Sequence, residues 1–128
     1  MSQKRVVYNL FNKSKGLFLA SEALVADDFF LRLKGLMFRK TIAAEAALIF
    51  YRTSSIHTFF MRFPLDIVFL NKKMQVVRFY EALKPGRVVF CLFAYLVIEL
   101  PPHKTSRKNL EIGDILELAP INPSFSGK

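Results

Sequence analysis

Downstream of Lys40 the sequence is a succession of short apolar, β-prone stretches separated by polar or Pro/Gly breaks, and this rhythm constrains the fold most. Ala47 to Phe50, Ile56 to Met61, Leu65 to Leu70, Gln75 to Tyr80, Phe93 to Leu100 and Ile115 to Leu118 suit strands better than packed helices. Asn71-Lys72-Lys73 makes one turn and Lys84-Pro85-Gly86 another, proline fixing one turn dihedral and glycine permitting the other. Connections this short make antiparallel neighbours the expected arrangement. Pro101-Pro102 ends a strand because proline has no ladder donor, His103 to Asn109 then forms a polar loop, and Gly113-Asp114 restarts the final strand.

The first part of the chain reads as a hairpin followed by a helix. Arg5 to Leu10 and Gly16 to Leu19 are β-prone and flank the polar connection Asn12-Lys13-Ser14-Lys15. Asp27 or Asp28 is placed to cap a helix whose apolar side carries Phe29, Phe30, Leu33 and Leu36, with Gly35 as its stop. The expectation is a mostly β (α+β) fold: a compact antiparallel barrel-like or sandwich-like β domain with one short helix near residues 27–34. The chain shows no repeat and no linker, so residues 1–128 read as a single domain, and the Pro/Asn/Ser/Gly-rich end, 120–128, is expected to fray.

Hydrophobic residues make up 52% of the chain, including 14 Phe and 4 Tyr, which predicts an aromatic-rich interior. Val88 to Ile98 is the longest apolar run, falls well short of the roughly 20 residues of a membrane-spanning helix, and reads as a core strand. A net charge of +9 favours phosphate-rich or anionic partners, but the basic residues are scattered and form no block of the nucleic-acid type. Cys91 is the single cysteine, and Val6 to Phe11, broken by Asn9, is too short for the core of an export signal. Together these features predict a cytoplasmic protein without a transmembrane segment.

Four segments carry a family resemblance. Arg32-Leu33-Lys34-Gly35-Leu36-Met37-Phe38-Arg39 is similar to a "GLM-F-R" signature, and His57 to Leu70, with Met61, Pro64, Leu65 and Asp66, is similar to a central motif in which an aromatic-Met pair precedes Pro, an aliphatic residue and Asp. Tyr95 to Leu100 and Ile112-Gly113-Asp114 resemble a late strand ending in Glu-Leu and a closing turn. These features resemble the domain of unknown function 192 family over residues 17–118. The resemblance implies a compact, mostly β, barrel-like domain and assigns no biochemical activity. Two departures stand out: Pro102-His103 replaces small residues with a glycine, and Ala46-Ala47 replaces Gly-Met before Phe50.

Asp66 and Glu99 are the most informative positions, because each lies inside an apolar strand and a buried carboxylate needs a partner. Arg32, Lys34, Arg39 and Arg62 are candidate cations for them, the alternative being backbone contacts that fix strand register. His57 shares a strand face with Phe59 and Met61, which fits either a pocket wall or a histidine at the core margin. No ligand spacing for a metal is present, no cofactor is implied, and Cys91 sits among Val88, Val89, Phe90, Leu92 and Phe93, where packing explains it better than reactivity. Phosphate loops, nucleophile elbows and zinc-protease patterns do not occur.

The reading that follows is a noncatalytic binding or accessory module in which Arg32, Lys34, His57, Arg62, Asp66 and Glu99 surround a cleft for a small polar ligand or a protein partner. An acid/base enzyme using Asp66 or Glu99 with His57 is the first alternative. A basic exterior that binds RNA or anionic lipid is the second.

Overall fold

The computed structural model describes residues 6–26 and 42–121. The predicted helix near residues 27–34 lies outside them, as does most of the tail expected to fray. The described chain forms nine strands: β1 (Val7–Asn12), β2 (Leu17–Val25), β3 (Ala46–Tyr51), β4 (Ser55–His57), β5 (Leu65–Leu70), β6 (Val76–Leu83), β7 (Val88–Phe90), β8 (Leu96–Leu100) and β9 (Leu116–Pro120). Seven of them make one sheet in the order β6-β5-β8-β3-β2-β1-β9, and β4 pairs with β7 as a separate ribbon. The protein is thus mostly β, and no helix occurs among the described residues.

The large sheet curls into a half-barrel. Its two edge strands are tied at one end by the bridge between Gln75 and Ile115, with Leu116 N–H donating to the Met74 carbonyl and Val76 N–H to that of Asp114. Every pairing is antiparallel except β2 with β3, which run parallel from Glu22↔Ala46 to Val25↔Ile49. That exception corrects the all-antiparallel expectation, and the long connection between β2 and β3 is what permits it.

One hydrophobic cluster fills the face enclosed by the curl, with Leu10, Leu19, Ile49, Val68, Ile98 and Leu116 drawn from six strands and Leu110 added from the loop after β8. A second cluster lies on the opposite face of the central strands, where Phe50, Leu65, Ile67, Phe69 and Val97 are covered by Ile56 and Val89 of the ribbon. Because β5 and β8 are covered on both sides, they are buried along their whole length and read in the sequence as apolar runs interrupted only by Asp66 and Glu99.

Several strand limits differ from the sequence reading. The stretch Ile56 to Met61 stops as a strand at His57, because Thr58 turns the chain: its N–H donates to the Arg87 carbonyl and its hydroxyl to that of Lys84, while Met61 N–H returns to the Thr58 carbonyl. The run Val88 to Ile98 is not one core strand. It breaks into β7, a turn closed by Ala94 N–H on the Cys91 carbonyl, and β8, leaving Val88, Phe90, Leu92 and Phe93 exposed. The interior is correspondingly aliphatic rather than aromatic: among the described phenylalanines only Phe50 and Phe69 are buried, whereas Phe18, Phe59 and Phe60 face outward.

Candidate functional site

Asp66 is fully buried and is held by three backbone amides and one hydroxyl, with no cation paired to it among the described residues. Its Oδ1 accepts the N–H groups of Ala82 (2.7 Å) and His103 (2.9 Å), and its Oδ2 accepts the N–H (2.6 Å) and the hydroxyl (2.9 Å) of Thr105. Four donors on two oxygens satisfy the carboxylate and join β5 to two irregular segments. One is a bulge in β6, where pairing slips between Leu65↔Leu83 and Ile67↔Tyr80 and Ala82 takes a φ of 53°. The other is the loop after Pro101-Pro102, where His103 has a φ of 70°. A glycine suits that conformation, which gives a physical reason for the glycine expected there from the resemblance.

Glu99 lies on β8 with Leu48 and Ile67 as its paired neighbours, on the face that the ribbon covers. Only 6% of the residue is exposed, and no hydrogen bond or ion pair to its carboxyl is found among the described residues. Burial pushes its pKa up from an ordinary 4.5 to about 8, so the carboxyl is largely protonated at neutral pH. The carboxyl borders a small cavity of about 150 Å³ lined by Phe50, Thr53, Ser55, Ile56, His57 and Glu99.

The ribbon supplies the cavity's polar rim. β4 pairs with β7 through Ser55↔Phe90 and His57↔Val88, so Ser55 and His57 share one side of the strand while Ile56 turns into the core. His57 is exposed, and its Nδ1 accepts the Phe59 N–H at 3.2 Å, with the two rings stacked at 5.0 Å. In the neutral imidazole this leaves the proton on Nε2. Thr53 is buried beside them and donates its hydroxyl to the Tyr51 carbonyl at 2.9 Å.

The six residues singled out from the sequence are therefore not one constellation. His57 and Glu99 meet at the cavity, Asp66 is sealed beneath its amide donors on the other face of the sheet, and Arg62 is exposed and does not line the cavity. Arg32 and Lys34 lie outside the described residues, as does Arg39. Among the described residues the ion pairs join Lys15 with Glu111 and Asp114, and His103 with Glu81, so of the four candidate cations only Arg62 is described, and it pairs with neither acid. Thr53, Ser55 and Thr105 were not legible as site residues; only the alternation of Ser55 with His57 hinted that they share a face.

A wider depression of about 350 Å³ lies near the Asp66 loop, lined by Phe79, Glu81, Thr105, Arg107, Leu110 and neighbours. Its charged groups are largely satisfied or solvated: Glu81 pairs with His103 at 3.1 Å, and Glu111 with Lys15 at 3.5 Å. The smaller cavity is the better candidate because its acid is nearly buried and bonded to no described residue. No cluster of three or more His, Cys, Asp or Glu suited to a metal occurs among the described residues, and no described helix is long and apolar enough to cross a membrane.

Residues 10–118 match the family model DUF192, described as an uncharacterized ACR. Curated relatives include a UPF0127 protein of Thermococcus sibiricus, 35% identical over 84% of this chain and 73% of its own, and one of Pyrococcus furiosus, 31% identical over 84% and 96%. A crystal structure of a protein of unknown function from Novosphingobium aromaticivorans superposes with a TM-score of 0.75, at 22% identity, over 88% of this chain and 84% of that one. This last likeness shows a shared fold.

Proposed function

The chain belongs to the DUF192 family, described as uncharacterized, and from that premise we propose that it is a noncatalytic binding module whose cavity takes a small, neutral, hydrogen-bonding group. The observation that carries this reading is Glu99: a nearly buried carboxyl, bonded to no described residue and bordering a polar-rimmed cavity. A protonated carboxyl offers one donor and one acceptor, and Ser55 and His57 stand at the rim. At about 150 Å³ the cavity holds the volume of about five waters, so it suits one hydroxyl- or amide-bearing arm of a ligand rather than a whole drug-sized molecule. We take the cytoplasm as its compartment, since Cys91 is free and the sequence has no other cysteine.

An amide-resolved NMR titration with small polyols, primary amides and alkylamines tests the proposal. Shifts clustered at Thr53, Ser55, Ile56, His57 and Glu99 with the neutral ligands, abolished by Ser55→Leu, are the expected result. Shifts scattered over the surface, or centred on Phe79 and Arg107, would overturn it.

A second reading, acid/base catalysis by Glu99 with His57, is favoured by one observation: the Glu99 pKa of about 8 lies near the pH at which proton transfer works best. Chemical change of a bound ligand, lost in Glu99→Gln while binding persists, would select it over simple binding.

A further inference from the structure

The ribbon that walls the cavity carries a second feature on the face where Ser55 and His57 lie beside their cross-strand partners Phe90 and Val88. Phe90 and Leu92 are 60% and 80% exposed, Phe93 is 83% exposed, and Val88 and Phe59 also project into solvent. These side chains are not leftovers of an unformed strand. The β4–β7 register turns Ile56 and Val89 inward to the core and Val88 and Phe90 outward, while Cys91 N–H bonds to the Ser54 carbonyl and sets the turn that presents Leu92 and Phe93.

Among the described residues of the ribbon and its flanking turns, the charged side chains have one sign. Arg52, Arg62, Lys84 and Arg87 are exposed on the ribbon or its flanking turns, and residues 52–65 and 84–98 contain no Asp or Glu. Acids are present elsewhere on the described surface, for example Glu81, Glu111 and Glu117, so the segregation is a property of this region. Exposed apolar side chains at this density mark an interaction surface, and a rim of cations among the described residues favours an anionic partner.

We propose that the β4–β7 ribbon docks on an anionic lipid bilayer, with Leu92, Phe93, Phe90 and Val88 entering the headgroup boundary and Arg52, Lys84 and Arg87 lying against lipid phosphates. Aromatic rings settle at that boundary and basic side chains reach its phosphates, while aliphatic Val88 and Leu92 gain from hydrocarbon and nothing from base stacking, which favours lipid over RNA. A second copy of this chain brings the same cations and a net charge of +9, so like charges disfavour self-association through this face. The inference stands on exposure and charge.

Co-sedimentation of the full chain with vesicles of phosphatidylcholine alone, and of phosphatidylcholine mixed with phosphatidylglycerol, tests it. Binding to the anionic vesicles that weakens with added salt is expected, and removing Arg87 as Arg87→Gln should lower the partition coefficient about fivefold. The double variant Leu92→Ser/Phe93→Ser should lower it at least about tenfold with an unchanged melting temperature, whereas Phe18→Ser, an exposed phenylalanine on β2, should leave binding intact. Equal binding to both vesicle types, no vesicle binding, retention in a polyuridine RNA pull-down without vesicle binding, or dimerisation lost in the Leu92/Phe93 variant would each overturn the proposal.

Discussion

Asp66 and Glu99 lie on the paired strands β5 and β8 one residue out of step, Asp66 opposite Leu100 and Ile67 opposite Glu99, so their carboxyls emerge on opposite faces of the sheet. Asp66 meets three backbone N–H groups and a hydroxyl; Glu99 meets apolar side chains and a cavity. One acid organises the fold, and the other is left available to a ligand. Four consequences can be measured.

The Glu99 carboxyl makes stability depend on pH in a defined direction. Its pKa is about 8 when folded against an ordinary 4.5, so between those values the unfolded chain has released a proton that the folded chain retains. Stability from this group is complete below pH 4.5 and is lost as pH rises toward about 8, with a slope approaching ~1.4 kcal/mol per pH unit. Urea denaturation across this range should show the fall, and Glu99→Gln should flatten it; an unchanged slope in the variant would assign the dependence elsewhere.

Asp66→Ala leaves one buried and two part-buried N–H groups without an acceptor and should cost about 3–5 kcal/mol. Asp66→Asn should cost nearly as much, because its single oxygen replaces two acceptors and its NH₂ would meet other donors. Hydrogen exchange at the amides of Ala82, His103 and Thr105 should accelerate in both variants. Protection that persists at all three would show that these amides find other partners.

His103 carries a side chain in the left-handed region, at a φ of 70°. Its side chain is mostly exposed and its contact with Glu81 contributes little, so His103→Gly should relieve strain and raise stability by about 0.5–1 kcal/mol. A lower denaturation midpoint in the variant would refute this.

Two phenylalanines should respond in opposite ways. Phe69 is fully buried in the cluster beneath the ribbon, and Phe69→Ala should cost about 3–5 kcal/mol. Phe93 is on the surface, and Phe93→Ala should change stability by less than about 0.5 kcal/mol. Thermal melts of the two variants, run side by side, compare them directly.

Apolar rhythm and turn chemistry alone identified β5, the Asn71 and Pro85-Gly86 turns and the end of β8, because these depend on the backbone preferences of adjacent residues. The same logic failed at Val88 to Ile98. Hydrophobicity says that a stretch favours burial, yet whether it is buried depends on which surface it meets, and the Cys91 turn sends Leu92 and Phe93 away from the core.

The site divided along the same line. That Asp66 and Glu99 sit in strands too apolar for casual charges was determined by sequence, since it concerns neighbours along the chain. What each acid meets was decided by tertiary structure: the β5–β8 register sets their faces, a bulge and a distant loop bring amides to Asp66, and the ribbon closes over Glu99. A carboxyl's protonation and partners follow from the groups surrounding it in space, and here those groups come from residues far away in the chain.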